Sequence, residues 1–255
     1  MNAAAQNTLP FCCVYRSGGD YSGEYVRNLA AGLVRNHPHH KIRLICLTDL
    51  ASEVTSACGP LEGTVVFPLR LRETWPGWWS KIEIFTIPGP MVYLDLDTVV
   101  VGDLSPIFAH LAKHPDPQVI LMLRDFNSGR GNSGILAWKG SQQEIVHQFQ
   151  IDAAGATWRN RRGGVDGTFQ SGHYRGDGDW LFKQLNRPAG ATWPSIDQAI
   201  SGIYSYKKHI RSRSGQRLPA DARVVCFHGS PRPADVTGVR WLEEARAMVP
   251  EQVAR

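Results

Sequence analysis

The chain has 255 residues, of which 42% are hydrophobic and 20% charged. It is long enough to bury one sizeable core, and its ordinary globular composition excludes a disordered or fibrous protein. A net charge of +5 and a pI near 9.0 favour anionic partners, such as nucleotide phosphates, an acidic membrane face or nucleic acid, although a merely basic surface fits too.

In chain order, residues 1–9 read as a flexible N-terminus, with neither the basic nor the apolar part of a secretion signal. Phe11 to Tyr15 is a short apolar run that reads as a buried strand, followed by a Ser17-Gly18-Gly19-Asp20 loop. Tyr21 to Val34 carries helical spacing through Tyr25, Leu29 and Leu33. Ile42 to Leu47 and Thr64 to Leu69 read as strands, and Trp78 to Phe85 as a short helix with Ile82 and Phe85 on one face. The apolar run from Met91 reads as the next strand, then a helix over Ile107 to Lys113 and strands at Val119 to Arg124 and Gly134 to Trp138. Helices are expected at Ile145 to Gln150, Trp180 to Leu185 and Arg240 to Met248, with a last strand at Val224 to Phe227. Strands alternating with helices predict an α/β fold with a mainly parallel sheet flanked by helices, in which ligands sit beyond the carboxyl ends of the strands. No convincing linker or repeat is present, so residues 1–255 are expected to form one domain. The Gly-, Arg- and aromatic-rich stretch 155–178 has weak periodicity and reads as a functional loop.

The most informative segment is Tyr93-Leu94-Asp95-Leu96-Asp97, followed by Gly102-Asp103-Leu104. In extended backbone Asp95 and Asp97 point to one face, and two such carboxylates are held together cheaply only by a cation or a shared proton. Oxygen ligands suit Mg²⁺ or Mn²⁺, ions that commonly hold a diphosphate as well. Near the end of the chain, Val224 to Phe227 runs into His228-Gly229-Ser230-Pro231-Arg232-Pro233. A neutral imidazole at a strand end suits a metal, and a stiff turn presenting Arg232 suits a phosphate; taken alone, such a His is more often a structural hydrogen-bonder. Three weaker signals accompany these two. Asn132-Ser133-Gly134 is a polar turn feeding a strand. Asp177-Gly178-Asp179 precedes a helix, where Asp179 is an ordinary N-cap candidate and Asp177 points toward the loop. Lys81, after two tryptophans, is either solvated or set against a donor phosphate.

Taken in order, these pieces resemble a glycosyltransferase of the GT-A fold, nearest to family 8, the glycogenin and lipopolysaccharide galactosyltransferase type. The resemblance spans roughly residues 10 to 235, and the ordered set is more specific than any one motif. It implies a Rossmann-like mixed sheet and transfer of a sugar, UDP-hexose favoured, to a glycan, lipid-linked or other hydroxyl acceptor. It implies that Asp95, Asp97 and His228 bind Mn²⁺ (or Mg²⁺) and that Arg232 neutralises the leaving diphosphate. Val14, Tyr15, Arg16 and Tyr21 would hold the nucleotide, with Lys81, Asp95, Asn132 and Ser133 near the donor. Asp177 or Asp179 would serve as base in an inverting reaction, and the 155–178 loop would form the acceptor side. Two departures stand out: Gly178 replaces the family's Gln between the aspartates, and the closing His-x-x-Gly-x-x-Lys-Pro is shortened, with Arg for Lys.

A haloacid dehalogenase-like phosphatase is the nearest rival, because Asp95-Leu96-Asp97-Thr98-Val99 fits its first motif. Against it, the pair lies far from the N-terminus, and Leu181 stands where a later acidic partner is needed. A sugar-nucleotide pyrophosphorylase lacks its Gly-rich basic loop here, and a non-catalytic nucleotide-binding module gives no reason for paired carboxylates. No nucleic-acid partner is expected. Five cysteines without a Cys-x-x-Cys pair read mostly as reduced core thiols, which points to the cytoplasm. Lys207, Lys208, Arg211, Arg213 and Arg217 would supply any peripheral membrane contact, a reading weighted below a solvated loop.

Overall fold

The computed structural model describes residues 8–156, 158–159, 164–165, 174, 176–185 and 193–246. Its centre is a six-stranded sheet built from β1 (Thr8–Tyr15), β2 (Lys41–Thr48), β3 (Thr64–Arg70), β4 (Met91–Leu94), β6 (Ile120–Arg124) and β7 (Gly131–Trp138). The order is β3-β2-β1-β4-β7-β6; all contacts up to β4 are parallel, and only β7 runs against the rest. The chain steps outward from β1 to β3 and then returns to the other side of β1 with β4. The crevice between the carboxyl ends of β1 and β4 is therefore the topological switch point, the place where open α/β sheets bind ligands.

Strand alternation sorts side chains to two cores. On one face Phe11, Cys13, Leu44, Val92, Leu94 and Leu121 pack against α1 (Gly23–Asn36), α2 (Ala51–Cys58) and α3 (Ser105–Lys113). On the other, Cys12, Met91, Tyr93, Met122 and Leu136 pack against a 3₁₀ segment (Gly77–Thr86), α4 (Gln143–Ala153) and α5 (Asp177–Gln184). Most of the tryptophans serve this second core: Trp79, Trp138 and Trp180 are fully buried, with Trp79 stacked on Phe149 at 5.4 Å. All five cysteines are free and buried, as their apolar surroundings predict.

A small second sheet joins β5 (Thr98–Val100), β10 (Ile203–Ser205) and β11 (Val224–Cys226), with β11 central, parallel to β10 and antiparallel to β5. It covers a third core of Val225, Phe227, Tyr206, Ile210 and Leu242, the last from α6 (Arg240–Arg246). A two-stranded ribbon, β8 (Trp158–Arg159) with β9 (Gly164–Val165), lies within the stretch expected to be a loop. Most of 155–178 lies outside the described residues, as do residues 1–7, whereas Thr8 and Leu9 belong to β1 rather than to a flexible N-terminus because they pair with Lys41 and Ile42. Residues 247–248 of the expected last helix also lie outside. Among the described residues, no helix is long and apolar enough to cross a membrane.

Candidate active site

The strand β4 delivers the acidic pair, but not on extended backbone. It ends at Leu94, and the Thr98 N–H donates to the Asp95 carbonyl at 3.0 Å, closing a turn that carries Asp95 and Asp97. The expectation of two parallel carboxylates on one strand face is corrected accordingly, since the turn sends them to different partners. Asp95 accepts from the Tyr93 hydroxyl at 2.5 Å and faces the Lys81 ammonium at 3.0 Å. Asp97 is buried, accepts the Gly229 N–H at 3.1 Å and pairs with Arg232 at 2.8 Å.

Lys81 is buried rather than solvated. From the 3₁₀ segment its ammonium reaches Asp95 and Asp177, each at 3.0 Å, and donates to the Ser133 hydroxyl at 3.1 Å. Burial opposes its charge, yet Asp177 and Asp95 together hold it above the ordinary lysine range. Asp95 is pushed up to about 6, first by burial, with Lys81 opposing and the Asp97 and Asp177 charges adding. Asp177 is the first residue of α5 and lies against Lys81, not toward the loop, so a role as general base is not what its contacts offer. Asp179 is not an N-cap, because Gly176 takes that position; it lies in the first turn, 3.6 Å from Arg130.

Arg232 closes the other side. Besides Asp97, its guanidinium donates to the Tyr21 hydroxyl, covers the Tyr21 ring at 4.4 Å and reaches Asp20 at 3.2 Å. Tyr21 and Arg232 thus meet at Asp97. Tyr15 is buried in the α1/α2-side core with its hydroxyl on Glu53 at 2.7 Å, Val14 is half-buried against the other core, and Arg16 donates to the Glu73 carbonyl at 3.0 Å. All three stand at the carboxyl end of β1, but these contacts turn Tyr15 and Arg16 away from Asp95 and Asp97. Asn132 accepts the Gly134 N–H at 2.7 Å, while the Gly134 carbonyl accepts the Asp95 N–H at 2.9 Å. Asn132-Ser133-Gly134 is therefore not a turn before the strand, as expected, but part of β7, at an irregularity in its pairing with β6, and it borders Asp95 directly. At Gly178 a Cβ would meet the Ser133 hydroxyl at 3.0 Å, so α5 approaches β7 too closely there for an unadjusted side chain.

His228 follows β11 in a strained left-handed conformation (φ 37°). Its Nε2 lies 2.6 Å from the Ser205 hydroxyl, its carbonyl accepts from Lys207 at 2.8 Å, and its ring stacks on Phe126 at 5.6 Å. Burial and Lys207 lower its pKa and keep it neutral, the form that can ligate a metal. Among the described residues no three His, Cys, Asp or Glu side chains stand within common reach of one ion. The chemistry of the donor set nevertheless fits a hard divalent cation: the Asp95 carboxyl is raised first by burial and then by the Asp97 and Asp177 charges, Asp97 is a second, buried carboxylate two residues on, and the backbone next to His228 already touches Asp97. Filling it requires His228 to leave Ser205 and Arg232 to yield its place on Asp97.

Sequence reasoning missed Tyr93, Ser205, Lys207 and Asp20. Tyr93 had a signal, since it stands in the apolar strand two positions before Asp95. Lys207 was read only as part of a basic run, and Ser205 and Asp20 act through contacts between distant segments that left no signal.

The fold is of the GT-A class. Among solved structures, the chain is similar to the apo glycosyltransferase GlyE of Streptococcus pneumoniae TIGR4, with 17% identity and a TM-score of 0.63 over 94% of this chain and 60% of that one. It is also similar to the galactosyltransferase LgtC in complex with donor and acceptor sugar analogs, at 12% identity and a TM-score of 0.60 over 95% and 98% of the two chains. Mouse xyloside xylosyltransferase 1 matches at 12% identity and a TM-score of 0.50 over 88% and 98%. The chain thus spans about 60% of the length of GlyE and nearly all of LgtC. No family model and no curated protein sequence matches it. These likenesses show the GT-A fold.

Proposed function

We propose that the chain is a metal-dependent glycosyltransferase acting as a single domain, moving a sugar from a nucleoside-diphosphate donor, a UDP-hexose first among them, to an acceptor hydroxyl. One observation carries the reading: Asp95, Asp97, Lys81 and Arg232, from three separate parts of the chain, meet at the carboxyl end of β4 beside the end of β1. The LgtC likeness supports a nucleotide-sugar site there, since that protein was crystallised with donor and acceptor sugar analogs. Held by Asp95, Asp97 and His228, a divalent Mn²⁺ or Mg²⁺ would supply Lewis-acid stabilisation of the leaving diphosphate.

The chain's own residues do the rest. Arg232, on a Pro-flanked turn, trades its contact with Asp97 for a diphosphate oxygen, a charge-assisted bond that strengthens as the leaving group gains charge. Lys81 keeps Asp95 ionised and in place. Val14, Tyr15, Arg16 and Tyr21 wall the base and ribose end. Asp177 is committed to Lys81, which leaves Asp179 to take the acceptor proton if configuration inverts; if it is retained, the departing phosphate can take it.

Calorimetric titration of UDP, GDP and UDP-sugars, with Mn²⁺ and with EDTA, tests the reading on wild type and Asp97→Ala. Metal-dependent nucleotide binding lost in Asp97→Ala is expected and would name the base. Absence of nucleotide binding, together with Mg²⁺-dependent release of phosphate from phosphomonoesters, would overturn it.

A further inference from the structure

The segment between β10 and β11 carries Lys207, Lys208, Arg211, Arg213 and Arg217, with no Asp or Glu from 204 to 220. It is not a loose solvated loop. One π-helical turn (Tyr206–Ile210) fixes its start, Tyr206 stacks on Phe227 at 4.4 Å, and Ile210 is fully buried. At its far end Gln216 takes the Tyr206 hydroxyl through its side chain and the Trp241 indole N–H through its carbonyl, the latter at 2.9 Å. The platform is therefore rigid before any ligand arrives, which lowers the ordering cost of binding.

Two of its lysines tie it to the candidate site. Lys207 holds the His228 carbonyl and Lys208 holds the Phe126 carbonyl, both at 2.8 Å. From His228 an aromatic wall runs outward: Phe126 stacks on His228, His209 meets Phe126 edge-on at 5.5 Å, and Tyr204 meets His209 at 5.8 Å. Arg213 lies near Tyr204 and His209, Arg211 near Tyr206, and Arg217 follows Gln216. All three are exposed, and none of them forms an ion pair among the described residues, while the Asp221 carboxylate, which stands against the wall, is occupied by the Tyr204 hydroxyl at 2.7 Å. Aromatic faces suit the C–H faces of sugar rings, and unpaired guanidinium groups suit carboxylate or phosphate oxygens.

We propose that this aromatic and arginine-rich platform recognises an acidic saccharide as the acceptor, its rings on Phe126, His209 and Tyr204 and its anionic groups on Arg211, Arg213 and Arg217. The inference rests on the glycosyltransferase reading and names the acceptor class. An anionic membrane fits less well. Among the described residues, the large hydrophobic side chains that stand exposed are Val65, Phe67, Leu69 and Ile151, on β3 and α4, and interfacial docking needs such side chains beside the charge.

The test titrates oligogalacturonate, a phosphomannan fragment and neutral maltotriose into the protein with UDP and Mn²⁺ present, alongside phosphatidylglycerol vesicles. Wild type, R211E/R213E/R217E and a control K41E/R43E are compared. At least one acidic saccharide is expected to bind, and to weaken by about tenfold or more in the triple variant and on raising salt from about 50 to 300 mM. Maltotriose should not respond to either change, and K41E/R43E should behave as wild type. Retained UDP binding by the triple variant shows that it is folded. Binding of neutral and acidic saccharides alike, binding of neither, equal loss in K41E/R43E, or binding of vesicles alone each overturns the proposal. Loss of UDP binding in wild type would instead strike the glycosyltransferase reading.

Discussion

Lys81 is the residue on which the candidate site is balanced. Its ammonium is buried between Asp95 and Asp177, so removing it leaves two carboxylates facing each other without a cation. Breaking a buried pair in this way costs about 3 to 5 kcal/mol, much more than the loss of an exposed one. Lys81→Met should therefore lower the unfolding free energy measured in urea by an amount in that range, and Lys81→Met/Asp177→Asn should recover part of it by removing one stranded charge. A variant as stable as wild type would mean that Asp177 and Asp95 do not depend on Lys81. The sequence made Asp95 and Asp97 legible through their spacing after an apolar strand, and Arg232 through its stiff Pro-flanked turn. It could not choose between a solvated and a buried Lys81, because the choice depends on a carboxylate from α5 far along the chain. The role of Asp177 was unreadable for the same reason.

At the scale of elements, the site depends on a small sheet of which only the central strand, β11, was legible in the sequence. Strands β5 and β10 have three residues each, too short for alternation to register against their flanks. Helix α2 was likewise missed, since only Val54 and Cys58 turn a face to the core while its other positions are mostly polar or small. The six strands of the main sheet were legible because each is a sustained apolar run, and α1 because its apolar positions recur at helical spacing. Gly202 is the structural keystone of the small sheet. It has φ 81°, its carbonyl accepts the Arg223 N–H at 2.8 Å, and a Cβ there would lie 2.0 Å from the Asp221 carbonyl oxygen. Backbone cannot yield as a flexible side chain can. Gly202→Ala should destabilise by at least about 2 kcal/mol, from left-handed strain and overpacking combined. Because β10 carries Ser205 and β11 leads to His228, the same variant should weaken metal-dependent nucleotide binding at temperatures where it remains folded. Thermal melts paired with nucleotide titration would show both effects; a melt unchanged from wild type would contradict the assigned backbone geometry.

For the whole molecule, the main sheet's helical face is tied to the connection between the two sheets by His37, which lies outside the candidate site. Its Nδ1–H donates to the Leu33 carbonyl at 2.6 Å, and its Nε2 accepts the Leu104 N–H at 2.9 Å, so one neutral tautomer satisfies both ends of a buried ring. Burial lowers its pKa, outweighing the Leu33 carbonyl and the nearby Asp103 carboxylate, which favour the charged form. The unfolded chain then takes up a proton near pH 6.5 while the folded chain resists until lower pH, so this contribution is present above about pH 6.5 and is lost as pH falls. The slope reaches at most about 1.4 kcal/mol per pH unit until folded His37 itself titrates. His110, His209 and His228 are shifted the same way, so the wild-type curve alone cannot isolate His37. His37→Gln removes only its share, and the difference between the two stability curves, measured by urea unfolding from pH 7.5 to about 5, should shrink as pH falls. A difference independent of pH would mean that His37 accepts a proton in the folded protein as readily as in the unfolded chain, and that the Leu104 N–H does not depend on the neutral ring.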